Sequence, residues 1–281
     1  MRRLIRSWPL LLGLVVASPA ATAELHLNRI WVPAPHADHP LAATLVRPPG
    51  IGPFPLIVLN HGAPYSDRIR AGYGYWDKPA LLGQFVRRGF AVIVPVRRGF
   101  GATGGRYAED YGGCVDADFR RSGLAAADDI IAAVRFAARL PFVDGSRILL
   151  VGQSAGGFSS IAAASRQPPG VIAVANFSGG RAGDPEERPG RPCLAGRMAD
   201  TIEAFARTVE VPVLWHYVEN DLFFSPTVAR RWFEAFRRGG GVGTLVIQPP
   251  VPSGHSVLLA REGAAIWGPV FDRFLADYGL R

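Results

Sequence analysis

From residue 54 onward, short runs that are largely apolar, continuously so at 56–59, alternate with longer amphipathic stretches, and this alternation limits the chain to one kind of architecture. The runs cover 56–59, 91–94, 148–151, 171–176, 211–218 and 243–247. The stretches between and after them, 79–88, 118–140, 155–166, 226–238 and 260–278, read as helices. A strand with no polar face must be covered on both sides, which is the signature of a parallel sheet sandwiched by helices. The prolines agree: Pro55 precedes the first run, Pro95 closes the second, and Pro141 stops the long helix where a missing N–H does least harm. Two earlier extended segments, 25–32 and 41–46, lie among five prolines (Pro33, Pro35, Pro40, Pro48 and Pro49) and read as an antiparallel entry hairpin. The expected fold class is α/β, with a mostly parallel central sheet and that hairpin at its start. Residues 24–281 then form a single domain, interrupted at about 179–200 by an irregular loop or cap insertion rich in Gly, Pro and Arg.

In such sheets ligands meet the carboxyl ends of the strands, and the chemically capable residues fall there. Gly152-Gln153-Ser154-Ala155-Gly156 joins the run 148–151 to the following helix. G-x-S-x-G at that junction is a nucleophile elbow, a strained turn that lifts a serine hydroxyl above the sheet and tolerates only tiny neighbours two residues away. An alcohol needs a base, and His255, in Pro252-Ser253-Gly254-His255-Ser256 between the last run and the last helix, is the candidate. The acid that orients the imidazole should follow the run 211–218. Glu219-Asn220-Asp221 offers two carboxylates there; Asp221 is preferred and Glu219 is the alternative. The oxyanion needs two backbone N–H donors. One is Ala155, just after the serine. The other comes from Asn60-His61-Gly62-Ala63-Pro64, where Ala63 is the better donor, Gly62 the fallback, and Pro64 has no N–H to give. His61 reads as a support for this loop.

Other motifs carry less. Gly99-Phe100-Gly101-Ala102-Thr103-Gly104 spells a dinucleotide fingerprint, but no apolar helix opens at the third glycine, so a mobile loop beside the site is the better reading. His36 and His39 have only Asp38 nearby and read as surface histidines. Tyr65, Tyr73 and Trp76, with Tyr75, form an aromatic set suited to an apolar acyl or alcohol group. Substrate choice is expected to lie in 64–76, 98–116 and 179–200; Arg181, Arg188 and Arg191 in the last could attract an acidic substrate, but Asp184, Glu186 and Glu187 lie among them and a solvated mixed-charge loop is the better reading.

The first 23 residues stand apart. Arg2, Arg3 and Arg6 precede an apolar run at 8–17, and Ala21-Thr22-Ala23 supplies small residues for cleavage before Glu24. This is the pattern of a secretory signal peptide, since a membrane span needs roughly 20 apolar residues; the expected location is periplasmic or secreted. Loss of those three arginines lowers the net charge from +8 to +5. The remaining arginines form no basic stripe interleaved with aromatics, so no nucleic-acid partner is expected. In an oxidising compartment the two cysteines, Cys114 and Cys193, are expected to pair as one disulfide. Neither has metal-ligand spacing.

These pieces resemble the α/β-hydrolase superfamily and, within it, the dienelactone-hydrolase-like and prolyl-oligopeptidase-like branch. The likeness rests on Asn60-His61-Gly62, on Arg97-Arg98-Gly99-Phe100-Gly101-Ala102-Thr103-Gly104-Gly105, on 152–157, on Glu219-Asn220-Asp221 and on Gly254-His255. It implies a triad at Ser154, Asp221 and His255, carboxylic-ester hydrolysis of a small-molecule substrate, and no cofactor or metal. The chain departs from dienelactone hydrolases in carrying a serine where they use cysteine, and no separate propeller domain accompanies it. A small serine peptidase or amidase of the same fold is the alternative activity, and a non-catalytic binding protein a third reading.

Overall fold

The computed structural model describes residues 25–64 and 66–280. The proposed signal peptide and Tyr65 lie outside these residues. The entry hairpin forms as β1 (Asn28–Val32) and β2 (Leu41–Val46), paired antiparallel. The strands that follow are β3 (Phe54–Asn60), β4 (Ala91–Pro95), β5 (Val143–Gln153), β6 (Val171–Phe177), β7 (Val213–Val218) and β8 (Gly243–Gln248). Among the described residues they make one eight-stranded sheet in the order β1-β2-β4-β3-β5-β6-β7-β8. β2 meets β4 antiparallel, and every pairing from β4 through β8 is parallel.

Helices α1 (Asp67–Ala71), α2 (Pro79–Arg87), α3 (Phe119–Ala137), α4 (Ala155–Ala164), α5 (Ala195–Ala206), α6 (Pro226–Arg238) and α7 (Gly263–Asp277) complete the elements, with a short 3-10 turn at Gly254–Ser256. The largely apolar strands are explained by two cores, one on each face. Leu56 and Val58 pack with α3, α4, α5 and α6 through Phe158, Ile202 and Trp232. Ile57 and Leu59 point the other way, toward Leu82 and Phe85 of α2 and Trp267 and Phe271 of α7. Neighbouring residues of one strand thus serve opposite cores.

The segment 179–200 is less irregular than its composition implies. Its end is the start of α5, which buries Met198, Ile202 and Phe205 at helical spacing. The Gly- and Pro-rich lead-in hides that period. The start is also built in: Cys193 is bonded to Cys114, and Arg181 is only 4% exposed. Arg181 is therefore not part of a solvated loop, whereas Arg188 pairs with Asp184 near the surface as the mixed-charge reading expected. The glycine-rich stretch after β4 is wound rather than free. The Gly99 N–H donates to the Gly104 carbonyl, the Thr103 hydroxyl donates to the Val96 carbonyl, and the Ala42 N–H donates to Thr103. No helix follows until Phe119.

Candidate active site

Ser154 is the residue between β5 and α4, with φ 56° and ψ −124°. That is a strained conformation for a residue bearing a Cβ. The turn holds because the chain around it has no side chains to accommodate. A Cβ on Gly152 would run into the Gly156 carbonyl, and one on Gly156 would meet the Asn60 and His61 carbonyls, the latter at 2.5 Å. Ladder bonds continue through the bend: the Ser154 N–H donates to the Phe177 carbonyl at 2.9 Å, and the Ser154 carbonyl accepts from Gly180 at 3.1 Å. Ala155 opens α4, in the first turn, where backbone N–H groups have no intrahelical acceptor.

The loop after β3 comes up against this turn. A Cβ built on Gly62 would lie 3.2 Å from the Ser154 Cβ, which accounts for the glycine and puts Ala63 beside the serine. His61 is fully buried behind the loop. Its Nδ1 is 2.7 Å from the Gly62 carbonyl, and its Nε2 accepts the Arg97 N–H at 3.2 Å. Burial first, and then the Arg97 charge, lower its pKa to about 3, so it stands as a neutral strut. Tyr73 and Trp76 pack on this same ring, at 5.4 and 5.9 Å between centroids. Trp76 is 7% exposed. Both back the loop and are not among the residues lining the cavity described below; burial pushes the Tyr73 hydroxyl up to about 12.

His255 lies in the 3-10 turn after β8, and Asp221 follows β7. The His255 Nδ1 is 3.0 and 2.9 Å from the two Asp221 oxygens. Asp221 Oδ1 also accepts the N–H groups of Phe223 and Phe224 at 2.8 and 3.1 Å, which fixes the carboxylate. Glu219 is exposed and makes no such contact. Asn220, between them, exchanges two hydrogen bonds with the backbone of Val251 and so ties the two loops together. Phe223 stacks on the His255 ring at 4.2 Å, with Phe224 edge-on at 5.4 Å. The Gln153 side chain donates to the His255 carbonyl at 3.3 Å, linking that loop to the serine turn.

Ser154, Ala155, Ala63, Phe223 and Phe224 line one cavity of about 230 Å³. Arg70, Tyr107 and Arg181 line it too; each falls in one of the three segments expected to set substrate choice, though only Arg181 is singled out there. Behind them Glu109 is wholly buried and ion-paired with both Arg97 and Arg181. Burial would raise its carboxyl, but Arg97 and then Arg181 outweigh that and hold it down at about 2. Arg97 stands in the stretch that carried the family likeness and Arg181 among the arginines weighed for an acidic substrate; Glu109 had no local signal, since only the fold joins the loops after β4 and β6.

His36 is exposed, as the surface reading expects, but it is not without a partner. Its Nε2 is 2.7 Å from the buried Asp129 carboxylate, which also takes Arg98. Among the described residues no group of three or more His, Cys, Asp or Glu side chains is placed to hold a metal ion.

The sheet order and the serine turn at its centre define an α/β-hydrolase. The chain belongs to the S15 family, described as X-Pro dipeptidyl-peptidase, whose match runs over residues 39–188, more than half its length. Among solved structures it is similar to an acylaminoacyl peptidase from Pyrococcus horikoshii (TM-score 0.67, 18% identity), over 91% of this chain and 42% of that one. An acetyl xylan esterase from Paenibacillus sp. R4 gives a TM-score of 0.60 at 19% identity, covering 90% and 89% of the two chains. A putative dienelactone hydrolase from Klebsiella pneumoniae gives 0.56 at 16%, covering 90% and 99%. The chain thus spans about two fifths of the length of the longer peptidases it resembles. No curated protein matches the sequence. No helix among the described residues is long and apolar enough to cross a membrane.

Proposed function

We propose that this protein is an exported serine hydrolase that cleaves carboxylic esters of small molecules through an acyl-enzyme, with Ser154 as nucleophile, His255 as base and Asp221 as the acid that orients it. The observation that carries the reading is the 2.9 Å contact of His255 Nδ1 with an Asp221 carboxylate fixed by two backbone N–H groups. A proton held on Nδ1 leaves the Nε2 lone pair to accept the serine proton. The alkoxide attacks the carbonyl, and the N–H groups of Ala155 and Ala63 stabilise the oxyanion. His255 passes the proton to the departing alcohol; water then repeats the sequence and releases the acid. A peptidase or amidase using the same groups is the second reading, favoured by the S15 match and the acylaminoacyl peptidase likeness.

The test is a panel of p-nitrophenyl esters, thioesters, lactones and p-nitroanilides, run on the wild type and Ser154→Ala. Ester turnover should fall by several orders of magnitude in the variant, and a fluorophosphonate should label only the wild type. No turnover and no labelling by the wild type would sink the proposal; anilide turnover well above ester turnover would select the peptidase reading. Export is supported by the leader pattern and by the Cys114–Cys193 bridge. Protein recovered from the periplasm or medium should begin at Glu24; a retained Met1 would refute cleavage there.

A further inference from the structure

The charges under the candidate site do not balance. Arg97 and Arg181 share the single carboxylate of Glu109, and all three are buried. Arg181 Nη2 donates to Glu109 at 2.5 Å and to the Ser159 hydroxyl at 3.2 Å. Ser159 is on α4, little more than one turn beyond Ser154. Even so, Arg97 Nη1 and Arg181 Nε are buried without a hydrogen-bond partner. Two guanidinium groups against one carboxylate leave one positive charge in a desolvated setting, where an unmatched charge is strongly disfavoured. Of the acids around the cavity, Asp221 is buried but is taken up by His255 and by the N–H groups of Phe223 and Phe224, not by either guanidinium. Asp67 is paired with Arg70 and is 87% exposed in its side chain, and Asp110 is exposed and accepts the Gly112 N–H. The floor therefore holds buried guanidinium groups that one carboxylate only half matches, while Asp67 and Asp110 stand at an exposed rim where their field is screened.

We infer that the cavity at Ser154 receives substrates whose acyl group carries a carboxylate a short chain away from the reacting carbonyl, with Arg181 as the residue that selects it. This deepens the proposed ester hydrolysis and rests on it. A guanidinium with one carboxylate partner retains donors for a second, and a charge-assisted pair in a desolvated cavity discriminates strongly against an uncharged isostere. The cluster also explains why Arg181 is held from two sides: a selecting group must keep its position when the cavity is empty.

The experiment compares p-nitrophenyl hemisuccinate with p-nitrophenyl butyrate, which are similar in length and differ in the terminal charge. In the wild type kcat/KM should favour the hemisuccinate by about 10- to 100-fold, the range of a hydrogen bond to a charged group. Arg181→Gln should collapse that ratio toward one, mainly through KM, and Arg181→Lys should restore part of it. Arg207→Gln removes the same unit charge from an exposed arginine paired only at 3.9 Å with Glu203, and should leave the ratio where it was. A binding arm runs on Ser154→Ala by calorimetry with monoethyl succinate and ethyl butyrate. Tighter binding of the succinate, lost when Arg181→Gln is added, supports the inference even if neither ester turns over, an outcome that would count only against the ester reading. Equal handling of the charged and uncharged ligands in both arms overturns it. So does a ratio that survives Arg181→Gln while the melting temperature falls, which would make the cluster a structural clamp.

Discussion

Asp221→Asn is the most informative single change, because the neighbouring backbone dictates how the new side chain must sit. Oδ1 accepts two N–H groups, from Phe223 at 2.8 Å and Phe224 at 3.1 Å. An amide nitrogen there would set donor against donor twice, so the amide oxygen must keep that place. The NH2 then occupies the Oδ2 position, 2.9 Å from His255 Nδ1, and the amide oxygen, 3.0 Å from that nitrogen, is already shared by the two backbone N–H groups. Two N–H groups cannot face each other at that distance, and the ring is pushed to the tautomer with its proton on Nε2. That nitrogen then has no lone pair for Ser154, and the imidazolium loses its counter-charge. The expected loss is about 10^4-fold in kcat, equivalent to about 5 kcal/mol of transition-state stabilisation. Folding should change by no more than ~1 kcal/mol, since both backbone donors stay satisfied. Asp221→Ala, by contrast, strands those donors and should lower stability as well as activity. Steady-state kcat on p-nitrophenyl butyrate, with urea unfolding of the same preparations, separates the two effects. A folded Asp221→Asn protein with kcat within tenfold of wild type would refute the reasoning.

Three further outcomes follow from the packing and the charges. Gly156→Ala puts a methyl against the Asn60 and His61 carbonyls and should lose roughly 2–4 kcal/mol in urea melts, whereas Gly113→Ala, with nothing within 4 Å, should be near neutral; equal effects would contradict the close approach. The Cys114–Cys193 bridge closes a separation of 79 residues, so the double serine variant should lose about 4 kcal/mol on a loop-entropy estimate, and a loss below ~0.5 kcal/mol would say that the bridge constrains little. Acid should destabilise the fold in a definite window. Burial lowers the pKa of His61 to about 3 and of His216 to about 4, while the unfolded chain takes up those protons near 6.5. Their contribution is therefore complete above about pH 6.5 and lost as pH falls through the folded values, with Glu109, held at about 2, adding a loss from about 4.5 downward. Urea midpoints should fall by a few kcal/mol equivalent between pH 7 and 4; a flat profile would contradict the buried, neutral state of both rings.

The largely apolar runs determined the fold class, because a strand with no wet face has few places to go, and the structure paired them in a parallel sheet with the entry hairpin where the prolines put it. Ser154, Ala155, Ala63, Asp221 and His255 could be nominated from the sequence because each follows a strand end at a spacing set by local turn chemistry. Asp221 was preferred there with Glu219 left open, because both follow β7; the fold shows which one meets the imidazole. α5 was missed because its glycine- and proline-rich approach conceals a helical period that begins at Met198. Trp76 and Tyr73 looked like cavity aromatics, yet which way a ring in a loop faces depends on what packs behind it, here His61. Arg181 read as solvated because its neighbours in sequence are charged, while its partners in space, Glu109 and Ser159, come from distant loops and helices. The chain's own order announced the strands and the serine turn, since strand pattern and turn residues are local features. Burial, pairing and the excess charge under the cavity belong to contacts between remote segments, which exist only once the sheet has brought those segments together.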